Sequence, residues 1–454
     1  MTKIIVAKNK LDCEHILGQF VDESHYDILV EEDTDCYLPS ECSPMEQAGC
    51  NEQDCADCSV RNTKDESKIA FKFRKNFFSK KEQEAAYAGL REAATPSQNR
   101  GIAAGPRGEK LQGRDWVTAE QLKILDFLTK LDSNSLFKVT DAEINLQREK
   151  ARQKPENRGM VWLNTEVDKH NFHFEPWLKS ALKKTSAELQ KEARWVRDTL
   201  ISDTSYANTV NSGIAGWFDR YPRIPYGRAT SYTQNHYDKF QMAFPFLQSL
   251  SRGFEELLPW RYNNQMEAAR KLDSRFLVPG TPFTTVTVNK TFRTACHRDA
   301  GDFSDGLSNL LVLSNNGNYS GGYLVFPEVR VAVNVRPGDL LLVNNHEVIH
   351  GNTPIVTHDE IAERISLVCY FREKMLELGD YEYENLRYQF VESRRLNKEH
   401  PLHKDRHLWN GVNEGMWESD EWFDYLVAQG GDNLKRGKND KYRKQKEFTL
   451  EDLF

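Results

Sequence analysis

The 454-residue chain has no apolar run near the roughly 18 residues that a membrane-spanning helix needs. Its first residues, MTKIIVAKNKLDCEHILGQF, hold a short apolar stretch and no small-residue cleavage site, so they do not read as a secretory signal. These two absences predict a protein that is not secreted, has no membrane partner and is cytoplasmic or otherwise intracellular. The glycine-rich stretch Gly101–Trp116, GIAAGPRGEKLQGRDW, lacks the G-x-x-x-x-G-K-[ST] order of a phosphate-binding P-loop and reads equally well as a surface loop. Base is scarce overall: the net charge of −7 at first argues against a nucleic-acid partner. The distribution reverses that argument. Residues 1–67 carry 16 acids and 5 bases, whereas the rest of the chain carries 52 acids and 56 bases. The body is therefore mildly basic and can meet a phosphate backbone.

Cysteine is also nearly missing beyond residue 67, where two of the eight lie. The other six are Cys13, Cys36, Cys42, Cys50, Cys55 and Cys58, the last three spaced C-x4-C-x2-C. Clustered thiols in an intracellular protein favour metal over disulfides. Cys36, Cys42, Cys50, Cys55 and Cys58 are accordingly candidate ligands of a second metal. Zinc is the first choice, since it would fold a segment with few apolar residues. An iron–sulfur cluster, which uses the same spacing, and free thiols are the alternatives.

Four segments follow from composition and pattern. Residues 1–67 form the acidic, cysteine-bearing segment. Residues 68–225 are mixed and mainly helical, with apolar spacing of helical period over 118–132 and 175–199. Residues 226–372 open with a helical stretch over 236–258, broken by Pro245, and turn to strands after Pro279: TTVTVNKTF, LSNLLVLS, GGYLVFP, VRVAVNV, DLLLVNN and RISLVCYF. Short strands separated by turns such as NNGNYSGG and RPGD suggest a sandwich or jelly roll. Residues 373–454 return to helix and end in a basic tail with seven Lys and Arg between Lys435 and Lys446. That tail is a solvated end or a contact to nucleic-acid phosphates.

Within the strand region the stretch TACHRDAGDF places His297 and Asp299 one residue apart. The H-x-D spacing alone is weak, since it recurs at His236/Asp238 and His403/Asp405. The company is what differs. His297 and Asp299 fall at the end of a predicted strand, whose alternation puts both on one face. Downstream, NNHEVIHGNTPI supplies His346 and His350, and Arg364 and Ser366 follow in ERISLVCYF. Two histidines and one carboxylate with open positions form the ligand set of non-haem Fe(II) oxygenases. A guanidinium can grip the far carboxylate of 2-oxoglutarate through two parallel hydrogen bonds, and R-x-S on a strand puts a hydroxyl on the same face.

The stretches TVNKTFRTACHRDAGDF, GGYLVFPEVRVAVNVRPGDLLLVNNHEVIHGNTPI and ERISLVCYF resemble the oxygenase domain of the ten-eleven-translocation (Tet) and base-J-binding-protein family over about Tyr226–Phe371. The resemblance implies an α+β chain with a double-stranded β-helix (jelly-roll) core and surrounding helices, to which the Cys-rich N-terminal segment is added. It implies an Fe(II)/2-oxoglutarate dioxygenase, using O2, that hydroxylates the 5-methyl group of 5-methylcytosine or thymine in DNA. His297, Asp299 and His350 would then hold iron. Arg364 would hold the distal carboxylate of 2-oxoglutarate with support from Ser366. Arg293 would reach the other end of 2-oxoglutarate or the substrate. Cys296 is expected to point away into the core. The cofactors carry the hard step, so no catalytic base is expected, and a methyl group in duplex DNA would have to be flipped out. Two readings compete: a 2-oxoglutarate oxygenase acting on a free nucleotide, protein or small molecule, and a β-sandwich binding protein without catalytic metal. No protein partner is indicated.

Overall fold

The computed structural model describes residues 2–39, 66–106, 208–404 apart from 222, 223 and 300, and 411–438 apart from 413, together with short pieces between 124 and 196. Most of the helical stretches expected over 118–132 and 175–199 lie outside the described residues. So do Arg107–Trp116 of the glycine-rich stretch, Asp405, the tail beyond 438, and Cys42, Cys50, Cys55 and Cys58. The chain divides into two compact units. One comprises Met1–Pro106, Asn208–Lys398 and Val412–Phe454, and the other Arg107–Ala207 and Glu399–Gly411. In the second, Leu125, Leu128, Ala181, Leu189, Ala193 and Val196 form a small apolar cluster.

Among the described residues the first unit has sixteen strands. They are β1 (Lys3–Val6), β2 (Ile28–Val30), β3 (Thr34–Tyr37), β4 (Ile69–Arg74), β5 (Pro96–Ser97), β6 (Val210–Phe218), β7 (Arg228–Ala229) and β8 (Thr285–Lys290), then β9 (Ser308–Ser314), β10 (Tyr319–Gly321), β11 (Leu324–Phe326), β12 (Val331–Val333), β13 (Leu340–Val343), β14 (Gly351–Asn352), β15 (Ile355–Thr357) and β16 (Arg364–Tyr370). A large sheet runs β1-β3-β4-β13-β9-β16-β8-β6-β5, with β7 on β6; a smaller one runs β14-β11-β12-β2, and β10 pairs with β15. All six stretches expected to be strands are strands.

The near-continuous apolar runs of β9 (LLVL) and β13 (LLLV) have a direct cause: both faces of the large sheet are covered. On one face Leu311, Leu313, Leu340, Leu342, Ile365 and Leu367 pack against helices through Leu90, Phe240, Phe246, Leu250 and Phe254. On the other, Leu310, Val312, Leu341, Val343, Phe71 and Phe73 meet Leu324, Phe326, Val331 and Val333 of the smaller sheet. Two sheets thus sandwich a core on the side that also holds the cavity described below.

The helices lie outside this sandwich. Helix α1 (Lys80–Leu90) starts at a reciprocal cap in which the Ser79 hydroxyl accepts the Glu82 N–H and the Glu82 carboxylate accepts the Ser79 N–H; such caps contribute about 1 kcal/mol. The expected helix over 236–258 is two helices, α2 (Tyr237–Met242) and α3 (Phe244–Leu257), and Pro245 sits in the first turn of the second, where its missing N–H costs nothing. After residue 373 come α4 (Tyr381–Leu396) and α5 (Asp420–Ala428). Among the described residues no helix is long and apolar enough to cross a membrane.

The acidic N-terminal segment contributes strands to both sheets. Strand β3 pairs with β4 across residue 67, and β2 pairs with β12. This corrects the expectation for Cys36: it lies on β3, fully buried beside Phe71 and Phe73, with burial pushing its thiol up to about 12. A neutral thiol in an apolar core is a packing residue. Cys296 is buried in a core cluster with Cys13, Val325 and Ile349, as expected.

Candidate active site

The backbone brings the site together between two irregular segments. Strand β8 ends at Lys290, so His297 is not the strand-end residue that alternation suggested. Instead His297 and His350 face each other across a two-residue antiparallel bridge. Each backbone N–H donates to the other's carbonyl at 3.0 Å. The Asp299 N–H donates to the Asn345 carbonyl at 3.0 Å. Glu328, buried under both segments, accepts from the Ile349 N–H (2.7 Å) and from Arg298 (3.0 Å). The two segments are thus tied at several points, independently of any strand register.

On that platform the side chains of His297, Asp299 and His350 converge, with one potential ligand atom from each lying within 4.8 Å of the others. His297 Nδ1 donates to the Ala295 carbonyl (2.8 Å) and His350 Nδ1 to the Val348 carbonyl (3.0 Å). A carbonyl can only accept, so in each neutral ring Nε2 keeps its lone pair and points at Asp299. His297 Nε2 is 3.3 Å and His350 Nε2 4.0 Å from the carboxylate. Burial by itself would raise Asp299, but at the low pH where it would take a proton both imidazoles are charged. The hydrogen bond from protonated His297, the charge of protonated His350 and the Asn345 amide then outweigh burial and hold the carboxyl at about 2. Burial and the neighbouring His297 lower His350 to about 4. A carboxylate and two inward lone pairs are a donor set for a divalent transition metal. His346 is exposed and outside this cluster. His236/Asp238 form no such group among the described residues.

These residues line a cavity of about 330 Å³. Alternation along β16 turns Arg364, Ser366, Val368 and Tyr370 into it, and β8 adds Thr287 and Asn289. Arg364 is 1% exposed, and its Nη2 donates to the Gly322 carbonyl at 3.1 Å. Its Nε and Nη1 are buried without a hydrogen bond. Burial lowers its pKa from the ordinary arginine range, with the Tyr319 phenol offsetting part of that. Gly322 makes room for the guanidinium: a β-carbon there would stand 2.9 Å from Arg364 Nε, and its φ of +71° suits glycine alone. Buried donors without acceptors are costly unless a ligand supplies the acceptor. A carboxylate from a cosubstrate fits that need.

Arg293 corrects the sequence reading. It is absent from the cavity wall, and its guanidinium donates to the Val21 (2.7 Å) and Asn352 (3.3 Å) carbonyls over the Phe20 ring. Phe292 and Thr294 line the cavity instead. Among the polar residues of the wall that sequence reasoning missed are Arg100, Asp302 and Arg372. Arg100 enters from the Asn99–Ala103 strap far upstream, donating to the Gly213 carbonyl at 3.0 Å, and no spacing signal pointed to it. Asp302 stood inside the quoted TACHRDAGDF stretch. It is buried, accepts from the Ser308 hydroxyl, and is pushed up to about 8 by burial and then by the charge of Asp299. Arg372 follows ERISLVCYF; it lies 4.0 Å over Phe218 and donates to Asp219 at 2.9 Å.

The two-histidine, one-carboxylate cluster and the buried arginine with unpaired donors lie within the stretch that the comparisons match. Residues 214–373 match the Tet_JBP family, described as the oxygenase domain of the 2OGFeDO superfamily. The chain is 38% identical over 167 residues to thymine dioxygenase JBP1 of Trypanosoma brucei brucei, covering 36% of this chain and 19% of that protein. It is 33% identical over 168 residues to the bifunctional helicase and thymine dioxygenase JBP2 of Leishmania infantum, covering 37% of this chain and 15% of that protein. The matched stretch thus spans less than a fifth of these relatives' length. A solved structure of NgTET1 in complex with 5mC DNA is 19% identical, with a TM-score of 0.30, over 36% of this chain and 61% of that one. A likeness at that level carries no argument.

Proposed function

We propose that the protein is an Fe(II)/2-oxoglutarate-dependent dioxygenase that hydroxylates the 5-methyl group of a pyrimidine in DNA. We further infer that its two sheets are the halves of a double-stranded β-helix. One observation carries the reading. The His297–Asp299–His350 centre and the unpaired donors of Arg364 line one cavity, inside the segment that matches the Tet/JBP oxygenase domain.

His297 and His350 would hold the metal through Nε2, and Asp299 would hold it through its carboxylate. Arg364 would bind the distal carboxylate of 2-oxoglutarate, with Ser366 beside it on the same strand face. Arg100, on the cavity wall, takes the place expected for Arg293, toward the other end of the cosubstrate or the substrate. When bound, iron and 2-oxoglutarate supply the power to oxidise an unactivated C–H bond with O2, releasing succinate and CO2. The chain's own task is to fix the methyl group against the centre and exclude bulk water. A cavity of about 330 Å³ is at the small end for ligand sites, which suits a single base flipped into it rather than a duplex. The thymine dioxygenase names of the relatives support a 5-methylpyrimidine as the oxidised base, and the net positive body beyond residue 67 supports DNA as its carrier.

The test is mass spectrometry of nucleosides from methylated and unmethylated DNA incubated with the protein, Fe(II), ascorbate and 2-oxoglutarate. Hydroxymethylcytosine or hydroxymethyluracil is expected, with succinate release stimulated by DNA. Succinate release that DNA leaves unchanged, with oxidation of free nucleotides instead, would overturn the DNA assignment.

A further inference from the structure

We propose that Asn345 is the positioning residue of the metal centre: its amide holds back one oxygen of Asp299 and thereby selects the other for the metal. The inference rests on the metal-site reading above. Asn345 is 1% exposed. It grips Asp299 twice, its backbone carbonyl accepting the Asp299 N–H and its Nδ2 donating to Asp299 Oδ2, both at 3.0 Å. The other carboxylate oxygen, Oδ1, makes the shorter approach to the histidines, 3.3 Å from His297 Nε2, while the amide-bound Oδ2 stays 4.0 Å from His350 Nε2.

The orientation of the amide follows from charge. Turning it over would press its carbonyl against the carboxylate, so the donor must face Asp299. The consequence is visible on the far side, where Asn345 Oδ1 is buried without a hydrogen bond. A buried acceptor left unpaired is unfavourable for a residue that serves packing alone. The residue is held in place by its neighbour: the Asn344 N–H donates to the Ala70 carbonyl (3.0 Å), its carbonyl accepts the Val348 N–H (3.1 Å), and its side chain donates to Glu347 (3.0 Å). Asn345 is thus held from the sheet through Asn344 as well as by its own contacts to Asp299. A carboxylate held to one oxygen occupies one position at a metal and leaves the remainder for cosubstrate, which is how partners beyond the ligands commonly tune such sites.

The experiment is anaerobic titration of the full chain with Co(II), followed by calorimetry and by the visible ligand-field bands. Wild type is compared with Asn345→Ala and Asn345→Leu. Both variants keep the backbone contact to Asp299, and leucine nearly matches asparagine in size. We expect both to bind Co(II) about 10- to 100-fold more weakly, in line with other disrupted ligand partners, and to show altered bands. Affinity and bands equal to wild type in either folded variant would overturn the proposal, because space-filling would then account for the residue. Wild type that takes up no Co(II) would instead sink the metal-centre reading itself, and the assignment with it.

Discussion

The two walls of the cavity are made in different ways. The β16 wall is a regular strand: Arg364, Ser366, Val368 and Tyr370 face the cavity because they are two residues apart, while Ile365, Leu367 and Cys369 face the helices. The opposite wall is irregular backbone. There His297, Asp299 and His350 are placed by the His297/His350 bridge, by Asn345 and by Glu328. Regular secondary structure thus carries the buried guanidinium, whereas loop segments cross-tied by hydrogen bonds bring the three side chains of the second wall together. The same contrast separates two arginines. Arg364 sits on the strand with donors unspent, whereas Arg293, on the loop, has given its guanidinium to backbone carbonyls.

The largest effect is expected on the loop wall. His350→Ala should abolish high-affinity Co(II) or Fe(II) uptake and all turnover, while His346→Ala, at an exposed position, should leave both near wild type; the reverse pattern in a metal titration would overturn the ligand assignment. On the strand wall the damage should be selective. Arg364→Lys keeps the charge but loses the two-pronged geometry, so the 2-oxoglutarate concentration for half-maximal succinate release should rise about tenfold or more, with metal affinity little changed. Gly322→Ala should act in the same direction, since a β-carbon there meets the Arg364 guanidinium. An unchanged 2-oxoglutarate requirement in both would place the cosubstrate elsewhere.

A smaller effect concerns Asp302, and its sign can be worked out. Its folded-state pKa of about 8 lies above that of an unfolded aspartate. Below about pH 4 the group is protonated in both states. As pH rises from there through 8, the folded state is penalised for keeping the proton and then for holding a buried charge. Metal-free Asp302→Asn should therefore melt a few degrees above wild type at pH 8.5, with the gap closing toward pH 4; a gap that widens on acidification would refute the assignment. The smallest effect is expected from Arg293→Ala. It should lower thermal stability slightly through the lost contacts to Val21 and Asn352, and leave the 2-oxoglutarate requirement within about twofold of wild type. Arg100→Ala should raise that requirement or cut turnover. If the two variants behave alike, the cavity wall has been misread.

The sequence by itself determined the elements of regular period and the residues whose chemistry is unusual for its setting. The six β-stretches after Pro279 were legible because β-branched and apolar runs were bounded by turn residues. Arg364 and Ser366 were legible because a period of two survives intact along a strand. The histidines and Asp299 were legible by residue type and company, although the strand-end argument for their placement was wrong. Tertiary structure decided the rest, because the deciding contacts join residues distant along the chain. Only the fold could place Arg100 in the cavity, turn Arg293 away toward Val21, and bury Cys36 beneath Phe71 and Phe73 rather than among other thiols. The same holds for Asn345: nothing local distinguishes it from Asn344, yet the His297/His350 bridge brings it, and not its neighbour, within hydrogen-bonding distance of Asp299.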